Sequence, residues 1–445
     1  MTVFLIERPE FNIETGEVHC NYALNEHRFT EKLELGVGFD IDAAQSESFA
    51  RALDLAAAIL GVSYFKLCAP FQIDATAIKL TEAAQQLVRD VYENGLGEFY
   101  ARNNLERFGK IEYQFRDTGD TSGNPAGKID PLILIGGGKD SLLSVNLIEE
   151  AGWSFTPFAV NPKGPIISSI ERMDQKPFYV RRYLDQTMLA LNSEPGYFNG
   201  HVPSTAINSI IASLVAILYG KSHVILSNER SASEGNLEFD GREVNHQHSK
   251  SLAFEKLFAS ALESIVGKSI GYFSLLRPFS ELQIGALFLH STKFDGAFSS
   301  CNQNFKQNAI GPARWCGNCP KCHFVSLIFA PFISPERLTN IVGTNVLDDE
   351  TKLDAMRELS GLSGHKPWEC VGEILEAAAA LWQLSQQPQW QNSAIVKTLT
   401  PELEAFYGAT KLASAWLELM TPSNSHAIPQ PIYNSINQKE LGHAS

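Results

Sequence analysis

Three clusters of reactive side chains stand out along the 445 residues. The first, Gly136-Gly137-Gly138-Lys139-Asp140-Ser141, follows the apolar run Ile133-Leu134-Ile135. Consecutive glycines let a backbone turn tightly at the end of a buried strand, and Asp140 and Ser141 are residue types that cap a following helix. Amides at such a turn point at an anion, most naturally a phosphate. A Walker-type loop needs Ser or Thr directly after Gly-Lys, whereas Gly138-Lys139 runs into Asp140, which argues against an ordinary P-loop NTPase.

The second cluster is Cys316-Gly317-Asn318-Cys319-Pro320-Lys321-Cys322, with Cys301 upstream across a polar loop. Four thiolates complete a tetrahedral zinc site, and Gly317 and Pro320 help the chain wrap around an ion. An iron-sulfur cluster and free redox thiols are weaker readings of the same spacing, and His323 is a substitute ligand. Cys20, Cys68 and Cys370 stand apart and suit small buried positions. The third cluster is polar: Ser227-Asn228-Glu229-Arg230-Ser231-Ala232-Ser233-Glu234-Gly235-Asn236, followed by His246 and His248. Asn228 and Glu229 are candidates for a crevice. The two histidines share one side if the segment is a strand and diverge if it is a helix. Lys250, Arg230 and Arg242 are cations that could bind carboxylate or phosphate, although solvated surface charge is the usual reading of each.

These residues need a scaffold that brings them together. Apolar runs predict strands at Leu132–Ile135, Phe155–Val160 and His223–Ser227; helical spacing covers Ser141–Glu150, Phe178–Leu191, Ser204–Tyr219 and Ser249–Val266. This alternation predicts an α/β fold with a doubly wound parallel sheet, whose ligands sit at the carboxyl ends of strands. The glycine loop, Asn161-Pro162-Lys163-Gly164-Pro165 and the stretch from Asn228 then share one crevice. Residues 1–128 read as an N-terminal α+β domain with hairpins over Glu10–Leu33 and helices near Ala50–Leu60 and Leu80–Glu93. A polar run from Asp117 to Gly127 separates it from a nucleotide domain at 129–331. Residues 332–445 read as mainly helical, with a packing helix at Ile374–Leu384 and an extended end after Thr421.

Composition narrows the function further. With 44% hydrophobic and 19% charged residues the chain has the balance of a soluble globular protein, and its net charge of −14 argues against general nucleic-acid binding. The longest lipophilic run, Ile210–Tyr219, is about half the roughly 20 residues of a membrane span. The start lacks a basic segment followed by an apolar core, and the clustered cysteines suit a reducing compartment, so a cytoplasmic location is expected.

The glycine loop resembles the Ser-Gly-Gly-x-Asp-Ser loop of PP-loop ATP pyrophosphatases, with Gly136 in place of the opening Ser. Together with the cysteines, residues 130–330 resemble 7-cyano-7-deazaguanine synthases. A resemblance over most of the chain is to the UDP-N-acetylmuramoyl-L-alanyl-L-glutamate epimerase family. It is carried by the glycine loop, by Ser227 to Asn236, by Val244-Asn245-His246-Gln247-His248-Ser249-Lys250-Ser251, and by Lys366-Pro367-Trp368-Glu369-Cys370-Val371-Gly372-Glu373. That resemblance implies a PP-loop core that uses ATP and Mg²⁺ to convert the terminal L-Glu of a UDP-linked muramoyl dipeptide to D-Glu, releasing AMP and pyrophosphate. It assigns Gly136, Gly137, Gly138, Lys139, Asp140, Ser141 and Asn228 to the nucleotide, with Asp140 also a Mg²⁺ candidate. Glu229, His246 and His248 are the acid–base candidates among this chain's own residues, and Cys301, Cys316, Cys319 and Cys322 the zinc ligands that the spacing suggests. An amidating or sulfur-inserting PP-loop enzyme acting on a nucleobase or RNA, and a non-catalytic nucleotide sensor, are the alternatives.

Overall fold

A computed structural model of the protein describes residues 2–124, 128–233, 235, 237–305, 314–364 and 371–440. The polar, glycine-bearing turns of the N-terminal part separate strands β1 (Val3–Ile6), β2 (Glu10–Asn12), β3 (Glu17–Leu24), β4 (His27–Glu34), β5 (Gln72–Leu80) and β6 (Glu112–Asp117). Five helices accompany them: α1 (Ile41–Gln45), α2 (Glu47–Leu60), α3 (Val62–Phe65), α4 (Glu82–Glu93) and α5 (Gly97–Asn103). Next come β7 (Leu132–Leu134), α6 (Lys139–Glu150), β8 (Thr156–Val160), α7 (Pro165–Ile170), β9 (Phe178–Tyr183), α8 (Gln186–Leu191), α9 (Ser204–Leu218) and β10 (His223–Leu226). A small hairpin of β11 (Leu237–Phe239) and β12 (Arg242–Val244) precedes α10 (Leu252–Val266) and β13 (Gly271–Ser274).

The strands join one sheet in the order β13-β10-β7-β8-β9-β4-β3-β1-β5-β6, with β2 on β3. From β13 to β9 all pairings are parallel, and β9 meets β4 antiparallel. At that seam Arg182 makes two bonds to the buried Glu31 carboxylate, 2.6 and 3.2 Å, and a third to Ser63 Oγ at 2.9 Å.

Alternation along the central strands shows why both faces are covered. Leu132, Val224, Leu226 and Tyr272 enter one core with α2, α9 and α10, while Ile133, Ile225 and Phe273 enter another with α6 and the C-terminal helices. Side chains two apart share a face, so each short apolar strand supplies both cores. The C-terminal part is helical: α11 (Glu281–Phe288), α12 (Pro320–Phe329), α13 (Pro335–Val342), α14 (Leu353–Leu359), α15 (Ile374–Ser385), α16 (Ala394–Tyr407), α17 (Ala409–Leu419) and α18 (Gln430–Glu440).

The structure corrects several sequence expectations. Phe178–Leu191 is not one helix: pairing with β8 and β4 draws Phe178–Tyr183 into the sheet, and Asp185 then caps α8 through Thr187 N at 2.7 Å. The chain after Thr421 is not extended throughout, because α18 seats Ile432 and Ile436 in the core. The helix expected from Ser249 begins at Leu252, where Ser251 accepts from Phe254 N at 3.2 Å. Glu47–Phe65 is a longer apolar stretch than Ile210–Tyr219 and meets the length and composition of a membrane span, yet 78% of its apolar window is buried, with α2 packed on α9 and β5.

Candidate active site

The glycine loop leaves β7 and enters α6, as its composition requires. The helix starts at Lys139 with Gly138 as its cap residue, so Asp140 and Ser141 lie in the first turn rather than capping it. Ser141 nevertheless closes the loop: its Oγ accepts from Gly136 N at 3.3 Å and donates to Gly138 O at 3.2 Å. Gly137 has φ of +77°, and a Cβ there would lie 2.8 Å from Ile166 N at the start of α7. Only glycine accommodates both the backbone angle and that approach. From the other side Ser299 N donates to Gly137 O at 3.0 Å.

Over this loop lies a cavity of about 350 Å³ at the carboxyl ends of β7, β8 and β10. Gly136, Gly138, Asp140 and Ser141 form one wall; Ser227, Asn228 and Lys250 form a second; Ser300, Asn302 and Lys321 form a third. Asn228 is oriented by its Nδ2 donating to Ser274 Oγ at 3.0 Å. Arg277, buried against Glu255, donates to Glu229 O at 2.6 Å and to Lys250 O at 2.5 Å, tying the segment behind Asn228 to Lys250, while Glu229 itself is buried behind the cavity lining. The 161–165 stretch contributes less than expected: Asn161 spends its side chain on Arg182 N and O of β9.

Lys139 does not line the cavity. Its fully buried ammonium pairs with Asp140 and Glu281, and Lys321 reaches Glu281 at 3.6 Å. Burial works against the Lys139 charge, but the two carboxylates outweigh it and hold its pKa well above that of an ordinary lysine. Glu229, also buried, is pushed the other way: desolvation and the nearby Glu281 carboxylate raise its pKa, opposed by Lys250. Such a carboxyl suits proton transfer.

The two histidines lie outside the cavity wall. His246 Nδ1 bonds the Glu98 carboxylate of α5, and His248 Nε2 lies 2.7 Å from Asp90 Oδ2 of α4. His201 Nδ1 is 3.4 Å from the same Glu98 oxygen, and burial beside His246 lowers its pKa to about 4.

The cysteines do converge. Cys316 and Cys322 sulfurs are 3.7 Å apart, Cys319 and Cys322 are 3.4 Å apart, and all four sulfurs lie within 4.8 Å of one another. A tetrahedral zinc with bonds of about 2.3 Å sets its sulfurs about 3.8 Å apart, so the donor set fits that ion. Gly317, at φ +68°, turns the chain around the cluster, and Cys319 immediately precedes α12. His323 Nε2 instead meets Gly317 O at 3.2 Å.

Sequence reasoning missed Glu98, Asp90, His201, Glu281, Lys321 and Arg277. Each acts through a partner distant in the chain, for which spacing carries no signal. Glu234, Asn236, and Lys366 to Cys370 lie outside the described residues.

A family model described as the MurL N-terminal domain matches residues 1–275, and one described as the MurL C-terminal domain matches 297–413. The chain belongs to the MurL epimerase family. Relatives named UDP-N-acetyl-alpha-D-muramoyl-L-alanyl-L-glutamate epimerase include a Micromonospora protein, 38% identical with 98% of each chain covered. The MurL relative from Xanthomonas oryzae pv. oryzae is 36% identical over 98% of this chain and 97% of its own. That from Salinispora tropica is 38% identical over 96% and 94%.

Proposed function

We propose that this MurL-family protein is an ATP-dependent isomerase that inverts the terminal L-Glu of a UDP-linked muramoyl dipeptide to D-Glu through an acyl adenylate. AMP and pyrophosphate are its by-products, and peptidoglycan precursor synthesis is its setting. The observation that carries the nucleotide part of this reading is the clamped glycine loop opening into the cavity at the carboxyl edge of β7. Its amides and Ser141 suit phosphate oxygens, Lys250 and Lys321 offer positive charge, and Asn228 offers a hydrogen-bonding amide. We read residues 129–331 as a PP-loop pyrophosphatase domain in a cytoplasmic enzyme, with 1–128 and 332–445 flanking it.

Adenylation explains why ATP serves an inversion. Removing the α-proton next to a free carboxylate builds a second negative charge beside the first, whereas the acyl adenylate lacks that charge and its carbonyl accepts electrons. A base then takes the α-proton, an acid returns one to the opposite face, and water releases AMP; each positioned group contributes about 10² to 10⁴-fold. Glu229, with its raised pKa, is the first candidate for a proton carrier, with His248 and His246, each oriented by a carboxylate, as the others. Asp140 would hold Mg²⁺, which would offset phosphate charge, and the four cysteines would hold a structural zinc.

Incubation with ATP, Mg²⁺ and the UDP-linked L-alanyl-L-glutamate precursor in heavy water tests this reading. Pyrophosphate, AMP and a D-glutamyl product with deuterium at Cα are expected. ADP, AMP without inversion, or turnover that requires an ammonia or sulfur donor would reject it.

A further inference from the structure

Glu98, His201 and His246 come from α5, from the loop before α9 and from the turn after β12, yet their ligand atoms lie within 4.8 Å of one another. We propose that these three side chains bind a divalent first-row transition-metal ion, at a site separate from both the cysteine cluster and the glycine loop. Two imidazoles and one carboxylate are the donor set that such ions accept while keeping positions open for water or another ligand.

The spacing of His201 and Glu98 fits two ligands of one ion, while His246 and Glu98 are drawn together by a direct bond. Glu98 Oε2 is 3.4 Å from His201 Nδ1, and ligands bound at about 2.0–2.2 Å stand roughly 3.0–3.5 Å apart around one ion. His246 Nδ1 bonds Glu98 directly, and an ion bound by both replaces that bond. The imidazole rings lie 4.9 Å apart at 53°, tilted rather than stacked. Arg102 Nε, 2.5 Å from Glu98 Oε1, occupies the other carboxylate oxygen and leaves Oε2 to the imidazoles, the outer support that metal-binding carboxylates usually have. Glu98 is nearly buried, whereas His201 and His246 keep about a fifth of their side chains exposed, which leaves an entry path.

The site bears on the rest of the molecule in two ways. Lys250, which lines the phosphate cavity, follows His246 by four residues, so the triad and that cavity wall draw on one stretch of chain. A metal on His246 Nδ1 withdraws that nitrogen from proton transfer and leaves Glu229 and His248 as the proton carriers. The assignment rests on the triad alone and survives or falls independently of the adenylation reading.

Loading the full chain with Mn²⁺ in the absence of nucleotide and recording its electron spin-echo spectrum tests the site. The glycine loop offers no imidazole and His323, beside the cysteines, is retained in every variant, so nitrogen modulation that depends on His201 and His246 is the expected result. The modulation should vanish in His201→Gln/His246→Gln and weaken several-fold in Glu98→Gln, which retains the shape of the side chain. A wild-type spectrum without nitrogen modulation, or modulation unchanged in folded variants, overturns the proposal. Should the double variant fail to fold, Glu98→Gln and the wild-type spectrum decide.

Discussion

Glycine positions 136 and 137 adjoin in sequence but obey different constraints. A Cβ on Gly136 meets nothing within 4 Å, whereas one on Gly137 strikes the backbone at Ile166 and requires a positive φ. Gly136→Ser, which adds one hydroxyl to the loop, is therefore expected to fold with unchanged stability. Gly137→Ala should displace the loop and lower pyrophosphate release by about 100-fold, the effect of an ångström-scale misplacement. A pyrophosphate-release assay on both variants separates the two constraints. Glu376 offers a second test at this scale. Burial, reinforced by the Glu281 carboxylate, pushes its pKa from 4.5 up to about 8, while its Oε1 accepts from Leu282 N at 2.9 Å. A carboxyl raised on folding contributes its full stability below the unfolded value and loses that contribution as pH rises through the folded one. Stability should thus fall between about pH 4.5 and pH 8, and Glu376→Gln, which keeps the acceptor without the charge, should flatten that decline in urea unfolding. The reactive types themselves were legible in the sequence; the carboxylates that hold His246 and His248 were not, because Glu98 and Asp90 lie about 150 residues away.

Elements were legible where a short apolar run ended in turn-forming residues, as at β7, β8 and β10. The failure at β9 has a physical cause: Phe-Tyr-Val-Arg-Arg-Tyr followed by Gln186–Leu191 carries helical spacing when read as one piece. The strand forms because β8 and β4 supply its hydrogen bonds and Glu31 receives Arg182, none of which is local. Helix α11 shows a local device at work. Ser280 Oγ accepts from Gln283 N at 3.0 Å while Gln283 returns the bond to Ser280 N at 3.2 Å, and Ser280 also donates to Leu419 O at 2.8 Å. This capping box sets the start of the helix that carries Glu281, the partner of Lys139. Ser280→Ala should cost about 1–2 kcal/mol in urea unfolding, more if the Leu419 carbonyl is left without a donor.

At the scale of the whole molecule, the four cysteines bring the two ends of the connection between residues 301 and 322 together beside the phosphate cavity. Cys301 lies between cavity residues Ser300 and Asn302, and Lys321 lies between Cys319 and Cys322. Cys322→Ser should remove zinc, measured by metal analysis, and lower the unfolding temperature; unchanged zinc content rejects the structural-zinc reading. The α/β class and the helical C-terminal region were legible from alternating patterns, whereas the continuity of the sheet was not, since no local signal marks which strands become neighbours. That continuity has a practical consequence at the β4–β9 seam. A fragment beginning at residue 129 would lose β4 and the carboxylate that receives Arg182, leaving β9 as a bare edge with unpaired amides and carbonyls. Such an edge recruits strands from other copies, so the fragment is expected to self-associate on expression, and attempts to dissect this protein by truncation should cut elsewhere.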